Sequence, residues 1–126
     1  MSKEKTPESF ILSECLSYLE TRNIYHWRNN VGAVRLGPRR FTHFGKKGSS
    51  DILGVLPDGK FLAVECKSRN GRLSPEQKQF LEALRERGAI ALVVRGWCEL
   101  DNALREAGYT LEDMPLFHAC SFGDQQ

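Results

Sequence analysis

The chain has 126 residues, enough for one compact domain with a real core but too few for two. Its hydrophobic content of 40% and charged content of 27% argue against disorder, and a net charge of +2 gives no strong bias. No apolar run approaches the roughly 20 residues of a membrane span, and the polar first residues lack the apolar stretch of a signal peptide. We therefore expect one cytoplasmic domain over residues 1–126.

The first half of the chain predicts a helix, a strand and a long loop. Apolar residues recur at helical spacing over Glu8–Leu19, and a run of aromatic and β-branched residues over Ile24–Arg28 predicts a short strand. Glycines and basic residues dominate Asn29–Ser50, which we interpret as a loop with one short strand around Ala33–Leu36.

Two strand-like runs follow and predict a hairpin. Asp51–Leu56 and Lys60–Lys67 are separated by Pro57-Asp58-Gly59, which consists of strong turn residues. Antiparallel pairing of the two runs is the expected arrangement.

The second half of the chain predicts a helix, a buried strand and a final helix. Ser74, Pro75 and Gln77 form the N-cap, first position and capping-box partner of a helix that ends at Gly88. The continuous apolar run Ala89–Val94 is typical of a strand covered on both faces, which implies a parallel crossover. A last helix is expected over Asp101–Ala107. This order predicts an α/β fold, a mixed central β-sheet flanked by helices.

The cysteines and charges constrain the partners. Cys15, Cys66, Cys98 and Cys120 show no C-x-x-C spacing, so we expect no zinc site and buried apolar roles instead. The basic residues concentrate between Arg22 and Ser50, where no acid occurs, while acids dominate from Glu99 onward. One end of the molecule should therefore attract polyanions.

Three residues of the predicted hairpin form a candidate metal site. Residues two apart on a strand share a face, so Glu65 and Lys67 project together, and the hairpin brings Asp51 alongside Glu65 if Gly54 or strand twist supplies some slack. Mg²⁺ prefers hard oxygens and takes one or two carboxylates, so Asp51, Glu65 and the Cys66 backbone carbonyl are candidate ligands. Lys67 would orient or deprotonate the attacking water, or offset charge on the phosphorus.

A charged strand face exposed to solvent is the simpler alternative for these residues. The neighbouring side chains weigh against it, because Phe61 and Ala63 extend the same face as an apolar stripe. Unpaired charges at the end of such a stripe are costly without a ligand.

The combined motifs resemble the VRR-NUC family, a branch of the PD-(D/E)xK nuclease superfamily with a restriction-endonuclease-like core. The resemblance is carried by GSSDILGV from Gly48, DGKFLAVECK from Asp58, LSPEQ from Leu73, and Gly88. It implies a single VRR-NUC-type nuclease domain, with metal binding by the residues matching Asp51 and Glu65 and catalysis by Lys67. Ser50 stands where the superfamily pattern has Pro, and Cys66 replaces a more usual aliphatic residue.

Two further site residues follow from the resemblance, each with a structural alternative. Gln77 on the following helix is implied as support for the catalytic set, yet the capping box alone explains it. An acidic residue on the first helix is implied as a tentative metal ligand, which we assign to Glu8 and less readily to Glu14. The helix dipole alone would favour Glu8 in the first turn.

The basic segment from Arg22 to Ser50 predicts contact with the DNA backbone, which lysine and arginine bind without reading sequence. Phe41, His43 and Phe44 would stack on bases or wedge a distorted duplex. The alternative is a solvated loop whose aromatic residues anchor in the core. The candidate DNA-binding residues are Arg28, Arg35, Arg39, Arg40, Lys46 and Lys47.

The resemblance also implies the reaction and its setting. Stand-alone members of the family, often phage-encoded, are similar to Holliday-junction resolvases and act as homodimers. We expect a Mg²⁺-dependent endonuclease acting on branched or duplex DNA, with Mn²⁺ as a substitute, in a bacterial or phage-infected cell. Trp97 or Met114–Phe117 would supply dimer surface or core. The alternatives are a flap- or nick-directed nuclease subunit that needs a partner, and a non-catalytic DNA-binding module.

Overall fold

The computed structural model describes residues 7–110, which form one sheet with helices on both faces and a separate two-stranded hairpin. The elements in chain order are α1 (Glu8–Thr21), β1 (Tyr25–Arg28), β2 (Gly32–Gly37), β3 (Arg40–Phe44), β4 (Ile52–Val55), β5 (Phe61–Cys66), α2 (Pro75–Glu86), β6 (Ile90–Val94) and α3 (Trp97–Glu106).

The central sheet has the strand order β1-β4-β5-β6. β1 and β5 both pair antiparallel with β4, while β6 pairs parallel with β5 through the α2 crossover, as the sequence predicts. Its two faces bury separate apolar clusters: α1 and α3 cover one, and α2 covers the other. The fold is therefore the predicted mixed α/β fold with a restriction-endonuclease-like core.

A buried polar network joins α1 to α3 beneath the first face. The Tyr18 hydroxyl donates to Asp101 Oδ1 at 2.6 Å, and Arg22 Nη2 lies 3.8 Å from the same oxygen. Arg105 Nε donates to Asp101 Oδ2 at 3.1 Å, so this fully buried carboxylate is paired. Because removing one partner would strand a buried charge, the network fixes how the two helices pack.

The prediction of a long loop over Asn29–Ser50 is wrong in part. The expected strand around Ala33–Leu36 lies within β2, but a second strand, β3, pairs with it and forms an exposed hairpin. Its aromatic residues do not anchor in the core, since Phe41 is 55% and Phe44 43% exposed. Strong β formers between glycines were therefore enough for pairing without a buried face.

Other expectations need smaller corrections. The last helix begins at Trp97, four residues earlier than predicted, and Trp97 stacks on Tyr18 at 5.9 Å and packs against the core. Phe10, one of the apolar residues in the predicted helix Glu8–Leu19, is exposed. Met114–Phe117 lies outside the described residues. Within residues 7–110, no helix combines the length and apolar character needed to cross a membrane.

The cysteines follow the expectation only in part. Cys15 and Cys66 are free and buried in the same apolar cluster, as expected for small hydrophobic residues. Cys98 is exposed on α3 instead.

Candidate active site

The β4–β5 register places Asp51 beside Glu65 directly. Ile52 pairs with Val64, so the next positions along the ladder are Asp51 and Glu65, and the slack expected from Gly54 is not needed. Gly54 serves another purpose, because a Cβ there would lie 2.5 Å from the Tyr25 carbonyl of β1. Its missing side chain lets the edge strand approach.

Asp51 is held by hydrogen bonds to both its side chain and its backbone. Its Oδ2 accepts from the Cys66 backbone N–H at 2.8 Å, and its carbonyl accepts from the Asn29 N–H at 2.8 Å. The Asn29 side-chain amide also donates to Ser49 Oγ at 2.6 Å and to the Ser50 carbonyl at 2.9 Å. Asn29 therefore clamps the segment that delivers the Asp51 carboxylate.

Glu65 is buried, with 2% of its surface exposed, and within residues 7–110 only one of its carboxylate oxygens has partners. Oε2 accepts from Gln77 Nε2 at 2.8 Å and lies 3.7 Å from Lys67 Nζ. Oε1 is buried without a hydrogen-bond partner among the described residues. A buried carboxylate oxygen in that state is costly unless it binds a further group.

Burial and neighbouring acids raise the pKa values of both carboxylates. The pKa of Glu65 rises to about 7, chiefly through burial, with further contributions from the negative charges of Asp51 and Glu8 that outweigh the attraction of Lys67. The pKa of Asp51 is also raised, mainly by burial, although the Cys66 N–H bond opposes the rise. The two acids lie close enough to repel each other, so a cation between them would be stabilised.

Gln77 performs both functions that the sequence left open. Its Oε1 accepts from the Ser74 N–H at 2.9 Å, and its own N–H donates to Ser74 Oγ at 3.1 Å, which completes the capping box. Its Nε2 is then the group that donates to Glu65. The cap therefore orients the amide toward the buried carboxylate.

Glu8, rather than Glu14, is the α1 acid that reaches the site. Its Oε2 accepts from the Ser68 N–H at 3.3 Å, just beyond Lys67, and its charge raises the pKa of Asp51 and Glu65. Glu14 instead accepts a hydrogen bond from the Trp97 backbone. Within residues 7–110 no three acidic, histidine or cysteine side chains are grouped to hold an ion, so Glu8 completes no three-carboxylate cage.

The residues present fit Mg²⁺ better than a metal that needs a closed protein cage. Asp51 and Glu65 are two carboxylates with hard oxygen donors, and Glu65 Oε1 has no hydrogen-bond partner among residues 7–110. Mg²⁺ typically takes one or two carboxylates and leaves its other positions to water and substrate phosphate. The Cys66 thiol faces the core, where its contact with Cys15 and its burial raise its pKa, so only its backbone carbonyl remains a predicted ligand.

The predicted DNA-binding residues fall into two places. Arg28 and Lys47 line a cleft of about 370 Å³ that Asp51 and Gln77 also line, and Arg28 is near enough to lower the pKa of Asp51. Lys46 lies in the adjoining loop, which also borders α2. The remaining three lie on the β2–β3 hairpin or its turn and do not line this cleft: Arg35, Arg39 and Arg40.

Sequence reasoning missed several supporting residues. Asn29 enters the sequence analysis only as the first residue of the predicted loop, although its side-chain amide can donate two hydrogen bonds and holds Ser49 and Ser50. Gly48 enters only as a motif residue, yet its φ of +88° favours glycine, and a Cβ there would lie 2.6 Å from the Glu76 carbonyl oxygen. Arg69 and Arg72 are exposed on the loop after Lys67 and were not singled out.

The fold and the grouping of Asp51, Glu65 and Lys67 define a nuclease-type domain of the PD-(D/E)xK superfamily. The family model of the VRR-NUC domain matches residues 6–97, and the chain belongs to this family. The match includes all of these residues and both helices that approach the site. The comparison with curated proteins gave no match, and the comparison with solved structures gave none either.

Proposed function

We propose that the protein is a Mg²⁺-dependent endonuclease that hydrolyses phosphodiester bonds in branched DNA. The family assignment supports a nuclease in general. The observation that carries the metal-dependent part is the buried Glu65 carboxylate, which lies next to Asp51 across the β4–β5 ladder. Gln77 holds one of its oxygens, and the other has no hydrogen-bond partner within residues 7–110.

The residues divide the chemistry between them. Asp51 and Glu65 would hold the divalent cation, which neutralises phosphate charge and lowers the pKa of bound water. Lys67, 3.7 Å from Glu65 and nearly buried, orients the attacking water and offsets negative charge on the pentacovalent phosphorus. The attacking water gives up a proton to solvent as its oxygen bonds to phosphorus. The bond from phosphorus to the leaving sugar oxygen breaks, and that oxygen takes up a proton from solvent. Gln77 keeps the Glu65 carboxylate oriented throughout.

The preference for four-way junctions and the homodimer form the finer part of the proposal. They rest on the resemblance to family members that are similar to Holliday-junction resolvases, and the exposed cations Arg28 and Lys47 of the cleft support binding of a polyanion. Two active sites related by a twofold axis would cut two strands symmetrically. Light scattering of the purified protein should give the mass of two chains, and a purely monomeric protein would remove this part of the proposal.

Cleavage of defined DNA structures tests the activity. Wild type should cut a four-way junction faster than a flap, a nicked duplex or a linear duplex with Mg²⁺ or Mn²⁺, and should cut nothing in EDTA. Lys67→Ala should lose about a hundredfold or more in rate, because it removes transition-state stabilisation. The matched control Lys60→Ala removes an exposed lysine from the β4–β5 turn and should retain full activity.

Two outcomes would overturn parts of the proposal. Full activity in Lys67→Ala would reject the catalytic assignment. Salt-sensitive DNA binding without cleavage under any divalent metal would replace the enzyme with a binding module.

A further inference from the structure

The β2–β3 hairpin lacks a packing partner among the described residues. Every side chain of β3 is exposed, and no other helix or strand of residues 7–110 makes extensive contact with either strand. A two-stranded hairpin is marginally stable alone, so an exposed one that carries aromatic residues is expected to function by binding something.

The hairpin begins and ends at the active-site cleft. A Cβ on Gly45 would lie 2.4 Å from the Asn30 carbonyl and 3.0 Å from Val31 Cα, so the two ends of the hairpin meet at its base. Asn30 and Val31 before it and Lys47 after it line the cleft beside Asp51. DNA that occupies the cleft therefore lies at the base of the hairpin.

The two faces of the hairpin differ in chemistry. Residues paired across the strands share a face, so Arg35 and Phe41 lie together, and the Arg35 guanidinium carbon is 5.1 Å from the centre of the Phe41 ring. Phe44 lies on the opposite face, where its ring covers Gly32. Phe41 is thus an exposed ring backed by a guanidinium group, whereas Phe44 packs partly on its own hairpin.

Charge identifies the occupant as nucleic acid rather than a second copy of the chain. Arg39 and Arg40 at the turn add to Arg35, and no acidic residue occurs between Arg22 and Ser50. Two such hairpins meeting face to face would bring like charges together, whereas a phosphate backbone would neutralise them.

We propose that the Arg35–Phe41 pair is a stacking platform for unpaired nucleotides of the DNA substrate beside the cleft. Unpaired bases are recognised by stacking on aromatic rings and arginine planes, whereas paired bases inside a duplex do not offer their faces. The platform would add binding affinity for bases that lose their partners at a branch point beside the cleft. This inference rests on the proposed function for the role of the cleft.

Binding measured in EDTA tests the platform without cleavage. The probes are a linear duplex, the same duplex with a short unpaired bubble, and the bubble with 2-aminopurine at an unpaired position. Phe41→Ala should bind the bubble at least about fivefold more weakly and bind the duplex as wild type does, since one base stack is lost. The fluorescence change of 2-aminopurine on binding should disappear in Phe41→Ala and return in Phe41→Tyr.

Val34→Ala is the control, because it removes an exposed apolar side chain of the same hairpin from the face opposite Arg35 and Phe41. It should keep the bubble preference and the fluorescence change. Equal losses on bubble and duplex in Phe41→Ala, or no loss on either, would overturn the platform. A change of oligomeric mass in Phe41→Ala with unaltered bubble binding would also overturn it, in favour of a protein interface.

The platform and the nuclease assignment fail separately. An intact bubble preference with no cleavage under any divalent metal would reject only the nuclease. Metal-dependent cleavage by a protein whose Phe41→Ala variant retains the bubble preference would reject only the platform.

Discussion

Replacing Glu65 by Gln should stabilise the metal-free protein while abolishing cleavage. Burial and the charges of Asp51 and Glu8 raise the pKa of Glu65 from 4.5 to about 7, even after the attraction of Lys67 is included. The ionised carboxylate therefore destabilises the folded state. At about 1.4 kcal/mol per pKa unit, this rise sets an upper limit of roughly 3.5 kcal/mol on the cost at alkaline pH.

The sign of the pH dependence follows from the raised pKa. The stability associated with protonated Glu65 is fully present below the unfolded value of 4.5 and is lost as pH rises through about 7. The raised pKa of Asp51 acts in the same direction. In EDTA, the unfolding free energy of the wild type should therefore fall between these pH values, and Mg²⁺ at alkaline pH should restore it because the metal binds the ionised form.

Urea unfolding in EDTA measures the effect. Glu65→Gln should exceed the wild type by about 1–3 kcal/mol at about pH 8 and lose that advantage at about pH 4. The control Glu82→Gln changes an exposed glutamate of α2 and should behave as wild type at both pH values. A loss of stability in Glu65→Gln at pH 8 would refute the reasoning, since it would mean that the ionised carboxylate is well compensated without metal.

Three further substitutions test the supports of the site. Asn29→Ala should raise the Mg²⁺ concentration needed for half-maximal cleavage by about tenfold or more, because Asn29 holds the segment that positions Asp51. The control Asn30→Ala, in the same cleft, should leave that concentration unchanged. An unchanged Mg²⁺ requirement in Asn29→Ala would show that the hydrogen bonds of Asn29 do not contribute to metal binding. Gln77→Glu should keep the helix cap and the unfolding free energy in EDTA at low pH. It should reduce cleavage, because a carboxylate replaces the amide that donates to Glu65. Retained cleavage would count against a role for that contact. Gly48→Ala and Gly59→Ala both place an alanine at a positive φ, but only the Cβ of Gly48→Ala would meet a backbone oxygen, at 2.6 Å. Urea unfolding should therefore show Gly48→Ala to be less stable than Gly59→Ala by about 1–3 kcal/mol. Equal losses in the two alanine variants would show that the contact relaxes freely.

The sequence predicted the β4–β5 hairpin well because the sequence patterns that indicate this hairpin are local. A turn of Pro57-Asp58-Gly59 between two short apolar runs fixes the register, and that register sets Asp51 opposite Glu65. The capping residues of α2 and the apolar run of β6 likewise determined the parallel crossover. These local patterns agree with the tertiary structure because the apolar residues that form them are the residues that pack in the core.

The contacts between distant segments were not accessible in the same way. No periodicity indicates that the amide of Asn29 reaches Ser49 and Ser50, or that Gly48 rests on the first turn of α2. The β2–β3 hairpin was missed in part because both of its faces are exposed, so it lacks the alternation of buried and exposed residues that marks a strand. Its pairing becomes evident only in the three-dimensional structure.

Calorimetric titration of the metal-free protein with Mn²⁺ is the most direct test of the central claim that Asp51 and Glu65 share one divalent cation. Wild type should bind Mn²⁺, and Asp51→Asn and Glu65→Gln should each weaken binding by more than the roughly tenfold expected for a supporting contact. Undiminished Mn²⁺ binding by both variants would contradict the claim.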